Sequence, residues 1–92
     1  CWTKRAVELL EECQLVRGSG VIPEALLTKA AQITEANAAL FDAANGFAGC
    51  IPGIHYVLHG QGLLPGLRCL DPLETLSPGQ AAAIERVRKE YP

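Results

Sequence analysis

The sequence reads as an all-α fold, a single domain of three to four helices over residues 1–92. Three observations carry that reading. Apolar side chains recur at three- and four-residue spacing in separate stretches. Glycine, proline and asparagine punctuate the intervals between them. A capping signature, Ser77-Pro78-Gly79-Gln80, opens the last stretch.

The first helix is expected from about Trp2 to Val16, with Trp2, Ala6, Leu9, Cys13 and Val16 on its apolar side. Arg17-Gly18-Ser19-Gly20 ends it, because Gly18 is free to adopt the left-handed conformation. Pro23 suits the first turn of a second helix, and Glu24 favours the positive end of its dipole. That helix is expected to run for ~22 residues, roughly 33 Å, until Asn45-Gly46 stops it. Its apolar side holds Leu26, Ala30, Ile33, Leu40, Phe41 and Ala44. Asn37 lies on the same side, where a buried amide requires a partner.

A short third helix is expected from Pro52 through Ile54, Val57 and Leu58 to Gly60, and the glycines and Pro65 after it mark a loop. Leu67 to Leu70 reads as extended chain, since Asp71 precedes Pro72 and such residues avoid the helical region. In the last helix Ser77 is the expected N-cap and Pro78 the first helical residue, with Gln80 completing a capping box. Ile84, Val87 and Tyr91 supply its apolar stripe.

Composition narrows the functional classes. A chain of 92 residues buries only roughly 60–65% of its unfolded surface and is marginally stable alone. Its apolar share is 49% but aromatics are only 5%, so its contacts come from Ala, Leu, Val and Ile. Such helices suit packing against something larger. The chain begins at Cys1 and holds no methionine, which reads as an excised segment whose upstream part is absent. No signal peptide is visible at its start.

The net charge is −2, and Arg86, Arg88 and Lys89 stand among Glu85 and Glu90. A solvated helix face explains these charges better than a nucleic-acid surface, which requires a basic face. Ala43 to Leu67 carries no charge, but its six glycines, two prolines and two histidines mark a buried or interfacial segment. In lipid that backbone would be left unsatisfied, so no membrane span is expected. Cysteines at 1, 13, 50 and 69 form no CxxC pair, and they read as small buried thiols of a cytoplasmic protein.

No catalytic constellation emerges. His55 and His59 share a helix face at zinc-ligand spacing, but Tyr56 stands where a zincin carries glutamate. Cys50 is a conceivable third ligand or a nucleophile beside His55, with only a helix N-terminus to lower its pKa. Gly60-x-Gly62 follows a helix instead of a strand, so it is no dinucleotide loop. Gly18-Ser19-Gly20 lacks the spacing of a nucleophile elbow. No catalytic, cofactor-binding or metal-ligating residue is therefore assigned.

The order of the segments nevertheless resembles the C-terminal helical part of the dihydrodipicolinate synthase / N-acetylneuraminate lyase family. The turn from Arg17-Gly18 to Glu24-Ala25 resembles the one joining the first two helices after that family's barrel. Thr34 to Phe41 looks like the long helix that follows, and Ile51-Pro52-Gly53-Ile54 with Val57-Leu58 like the proline-led helix after it. Gly62-Leu63-Leu64, then Arg68 to Leu76 with Pro72, resembles the stretch before the final helix. His55 and Cys69-Leu70-Asp71 depart from the usual pattern.

The resemblance implies a parent lyase or aldolase with a (β/α)8 barrel, whose lysine forms a Schiff base with pyruvate or another 2-oxo acid. That lysine belongs to the barrel; Lys4, Lys29 and Lys89 read as helix surface. The expected role of this chain is then non-catalytic: packing on the barrel and near subunit contacts of a homo-oligomer, a dimer or tetramer. The alternative is an independent helical module for protein interaction or dimerisation.

Overall fold

The computed structural model describes residues 2–91. The described chain is all-helical: α1 (Thr3–Val16), α2 (Glu24–Phe41), a 3-10 turn (Ala43–Asn45), α3 (Cys50–Gly60) and α4 (Gln80–Glu90). The sequence expectation of three to four helices holds, with boundaries that moved at α2, α3 and α4.

Helix α1 begins beside Trp2 and ends where Arg17 turns extended, followed by Gly18 at φ +80°. The Ser19 hydroxyl donates to the Val16 carbonyl at 2.7 Å and ties off the exposed helix end. Helix α2 is shorter than expected, 18 residues, because Asp42 takes the left-handed conformation at φ +58°. Aspartate tolerates that region better than most residues, so the helix stops before Asn45-Gly46. Ala44, expected on the α2 stripe, lies instead in the exposed 3-10 turn. Helix α3 starts at Cys50, two residues before Pro52, and the Gly53 amide donates to the Gly49 carbonyl at 2.8 Å. Proline is tolerated there because first-turn amides lack helical acceptors.

The largest correction falls at α4. Ser77 is not its N-cap, and Pro78 is not its first helical residue: the helix begins at Gln80 behind Gly79 at φ +81°. Ser77 to Gln80 form a type II turn, closed by the Gln80 amide donating to the Ser77 carbonyl at 3.0 Å. Proline at the second position and glycine at the third suit that turn as well as they suit a helix start.

The core lies where α2, α3 and α4 meet. Leu40, Val57 and Ile84 are buried together, and Phe41, Ile54, Tyr56 and Leu76 pack around them. Val87 is also buried, so the α4 stripe performs as its spacing predicted. Helix α1 differs in kind: it has no buried residue. It runs antiparallel to α2, held by the Trp2 indole donating to Asn37 Oδ1 at 3.2 Å and by Lys29 to Glu12 at 2.8 Å. The amide expected to need a partner has one. The outcome is elongated, 50 × 25 × 22 Å with a radius of gyration of 15.3 Å, against roughly 12 Å for a compact domain of this length.

Candidate functional site

The most constrained chemistry lies in a buried polar joint between the C-terminus of α2 and the starts of α3 and α4. Asp42, only 4% exposed, sits there because its left-handed backbone turns the chain after α2. Its carboxylate accepts from Asn45 Nδ2 at 2.7 Å, from the Gly49 amide at 2.9 Å and from the Ser77 hydroxyl. The Asn45 and Ser77 donors, with the Gly49 amide, hold the carboxyl below its ordinary pKa against the opposing effect of burial.

Gln80, equally buried, forms the other half. Its Nε2 donates to the Gly49 carbonyl at 2.9 Å and, over longer distances, to the Leu40 and Ala39 carbonyls at 3.4 and 3.5 Å. Its Oε1 accepts from the Ser77 amide at 3.0 Å. The capping box is therefore half made: the glutamine reaches back, but the serine hydroxyl is drawn to Asp42, 35 residues away in sequence. No buried side-chain polar atom among the described residues is left without a partner.

Two glycines make the joint fit. A Cβ on Gly49 would collide with Gln80 Oε1 and stand 2.8 Å from Asp42 Oδ2. A Cβ on Gly53 would collide with the Leu40 carbonyl oxygen, a backbone atom with little room to give. Here the missing side chain lets helix α3 approach the end of α2.

The histidines do not converge on a metal. His59 Nδ1 donates to the Leu64 carbonyl at 3.0 Å and closes the loop after α3. His55 Nδ1 lies 3.5 Å from Cys69 Sγ. Burial, then the charges of Glu74 and Asp71, push the Cys69 thiol up, away from the reactive thiolate. No cluster of three His, Cys, Asp or Glu side chains suited to a metal occurs among the described residues.

The cysteine expectation needs correction at one place. Cys69 is buried and Cys50 half-buried, but Cys13 is exposed, because the side of α1 it occupies is uncovered. Cys1 lies outside the described residues.

The lysines, and the arginines other than Arg17 and Arg68, occupy helix surfaces. Lys29 pairs with Glu12, Arg88 with Glu85, and Arg86 with both Glu35 and Glu90. The Tyr91 hydroxyl donates to Glu35 as well. That bond and the Arg86 guanidinium hold Glu35 below the usual carboxylate range, while Glu35 raises the Tyr91 hydroxyl. An open groove of about 560 Å³ runs between α1, α2 and α4, with Trp2, Leu9, Ile33 and Val87 on its walls.

Sequence reasoning missed Asp42, which it did not single out. Asp42-x-x-Asn45-Gly46 was the available signal, an aspartate with an amide three residues on. No protein-family model, curated protein or solved structure matches this chain. No helix among the described residues is long and apolar enough to cross a membrane.

Proposed function

We propose that this chain is a non-catalytic helical packing segment that acts by covering, and being covered by, a larger apolar surface. One observation carries the reading: α1 spans 14 residues and buries none of them, while Leu10 and Leu15 are 57% and 85% exposed. A helix whose apolar residues are at most half-buried gains its stability from tertiary docking. The buried joint supports the same role, since every polar group in it is engaged structurally.

The segment order described above makes the larger body the barrel of a cytoplasmic, pyruvate-dependent Schiff-base lyase or aldolase, assembled as a homo-oligomer. Docking of α1 and α2 on such a body contributes roughly 25 cal/mol per Å² of apolar area. The free-standing interaction module is the second reading, and the same uncovered helix favours it.

Intact mass of the native protein, with and without borohydride reduction in the presence of pyruvate, separates the two. A species heavier than 9.8 kDa that contains this sequence and gains one pyruvate supports the lyase. No adduct on any such species removes the lyase and leaves the module. An adduct on the 9.8 kDa chain would overturn the non-catalytic assignment, because Lys4, Lys29 or Lys89 would then be reactive.

A further inference from the structure

Helix α1 meets the rest of the chain along one stripe. Its half-buried residues, Leu9, Glu12 and Val16, follow Trp2 on that side, and every other position of the helix is exposed. Trp2 packs on the core cluster, and its indole donates to Asn37 Oδ1 at 3.2 Å. Further along, Glu12 accepts from Lys29 Nζ at 2.8 Å. These two ties lie about 15 Å apart along the helix axis. Trp2, Leu9 and Glu12 all border the open groove of about 560 Å³, so cover between the ties is loose.

The reversal that brings α1 back onto α2 is held by equally little. It needs Gly18 at φ +80° and Gly20 at φ +76°, and the exposed Ser19 hydroxyl bridges Val16 and Val21. The residues on either side are already extended, with ψ +126° at Arg17 and +138° at Pro23. The space around both glycines is open. Straightening the segment asks only that two glycines leave the left-handed region, which glycine does freely, and Pro23 favours extended chain at Ile22 before it.

We infer that α1 is an exchangeable arm, which docks on α2 and α4 of a second copy in the place it occupies on its own chain. The groove sets the occupant: it takes an indole donor for Asn37 and a carboxylate for Lys29 on one side of one helix. Helix α1 brings the glutamate and begins beside the chain's single tryptophan. Exchange is reciprocal, so a two-fold dimer leaves neither arm nor groove empty. The docking contacts are the same in both states, and the balance is decided by the hinge and by concentration. This inference rests on the packing role proposed above and not on the lyase chemistry, so the pyruvate assay and the one below fail independently.

The test is sedimentation equilibrium of the full chain from about 5 to about 500 μM. The wild type is expected to dimerise towards the top of that range. Gly18→Ala combined with Gly20→Ala strains only the closed reversal, because a Cβ disfavours positive φ even in open space, and should tighten association roughly hundredfold or more. In that background Glu12→Lys and Lys29→Glu, each alone, set like charges together whether the arm is closed or exchanged. Mixed, the two chains restore opposite charges at both docking places of an exchanged dimer, and in no other state. The equimolar mixture should therefore associate roughly tenfold more tightly than either chain alone. A wild type or a glycine variant that stays monomeric throughout overturns the inference. So does a mixture no tighter than its components, because the copies would then join by another face.

Discussion

Gln80 joins three segments through one side-chain amide, and its replacement gives the sharpest test of the fold. Gln80→Ala removes the 2.9 Å bond to the Gly49 carbonyl and the 3.0 Å bond from the Ser77 amide, with the two longer contacts to α2. The Gly49 carbonyl keeps the Gly53 amide, so its loss is partial. The Leu40 carbonyl and the Ser77 amide lose a partner. Two hydrogen bonds at about 1 kcal/mol each, plus an unsatisfied buried group and a small cavity, give a loss of about 3 kcal/mol.

For a domain of this size that is a Tm drop of roughly 12–24 °C in thermal circular dichroism. Gln80→Glu sharpens the argument without changing shape. Its carboxylate would face three carbonyl oxygens where an amide now donates, so its folded pKa rises above the unfolded value of about 4.3. A raised acid keeps its full contribution below the unfolded pKa and loses it as pH rises. Gln80→Glu should therefore approach the wild type near pH 3 and fall increasingly behind it towards pH 7. Equal stability of wild type and Gln80→Glu at pH 7 would refute the joint as described.

Gly53→Ala drives a methyl group into the Leu40 carbonyl and should cost about 1–3 kcal/mol in urea unfolding. Gly60→Ala meets only the far end of the Arg88 side chain, at 3.0 Å, and should stay within about 0.5 kcal/mol. Stability against pH should hold level above the ordinary carboxylate range and fall below it: Asp42 and Glu35 are both held below their usual pKa, and such groups lose their contribution as pH falls through the folded value. Asp42→Asn should flatten part of that acid limb in a series of melts. Native-state amide exchange should open α1 before α3 and α4, since α1 has no buried residue, and Trp2→Ala, which deletes the bond to Asn37, should widen the difference.

The helices were legible because their signals are local. The α4 stripe of Ile84 and Val87 and the glycine stop at Gly18 were read from spacing and residue type, and the structure places them accordingly. What escaped was decided by partners far away in sequence. Ser77-Pro78-Gly79-Gln80 satisfies both a capping box and a type II turn, and only Asp42, 35 residues earlier, draws off the hydroxyl that a cap would have used. The end of α2 was misplaced for the same reason. Asn45-Gly46 is the stronger stop signal by residue type, but a left-handed Asp42 delivers its carboxylate to three donors at once. The polar joint is thus a tertiary object whose parts look ordinary one at a time.

That arrangement also explains why the molecule is uneven. The buried apolar cluster, Leu40, Val57 and Ile84, is small, and such a core specifies helix positions only loosely. A fully satisfied polar network is directional, and partial satisfaction is costly, so it fixes the register of α2, α3 and α4 against one another. Nothing comparable fixes α1. Its polar attachments are one indole–amide bond and one exposed ion pair, beside the packing of Trp2 on the core cluster, and exposed ion pairs contribute well under 1 kcal/mol. Helices α2, α3 and α4 are therefore the self-sufficient body, and α1 is the part whose order depends on what it docks against. If docking sets that order, amide protection of α1 must rise when the larger body is present, and full protection of α1 in the isolated 9.8 kDa chain would show that α1 needs no partner.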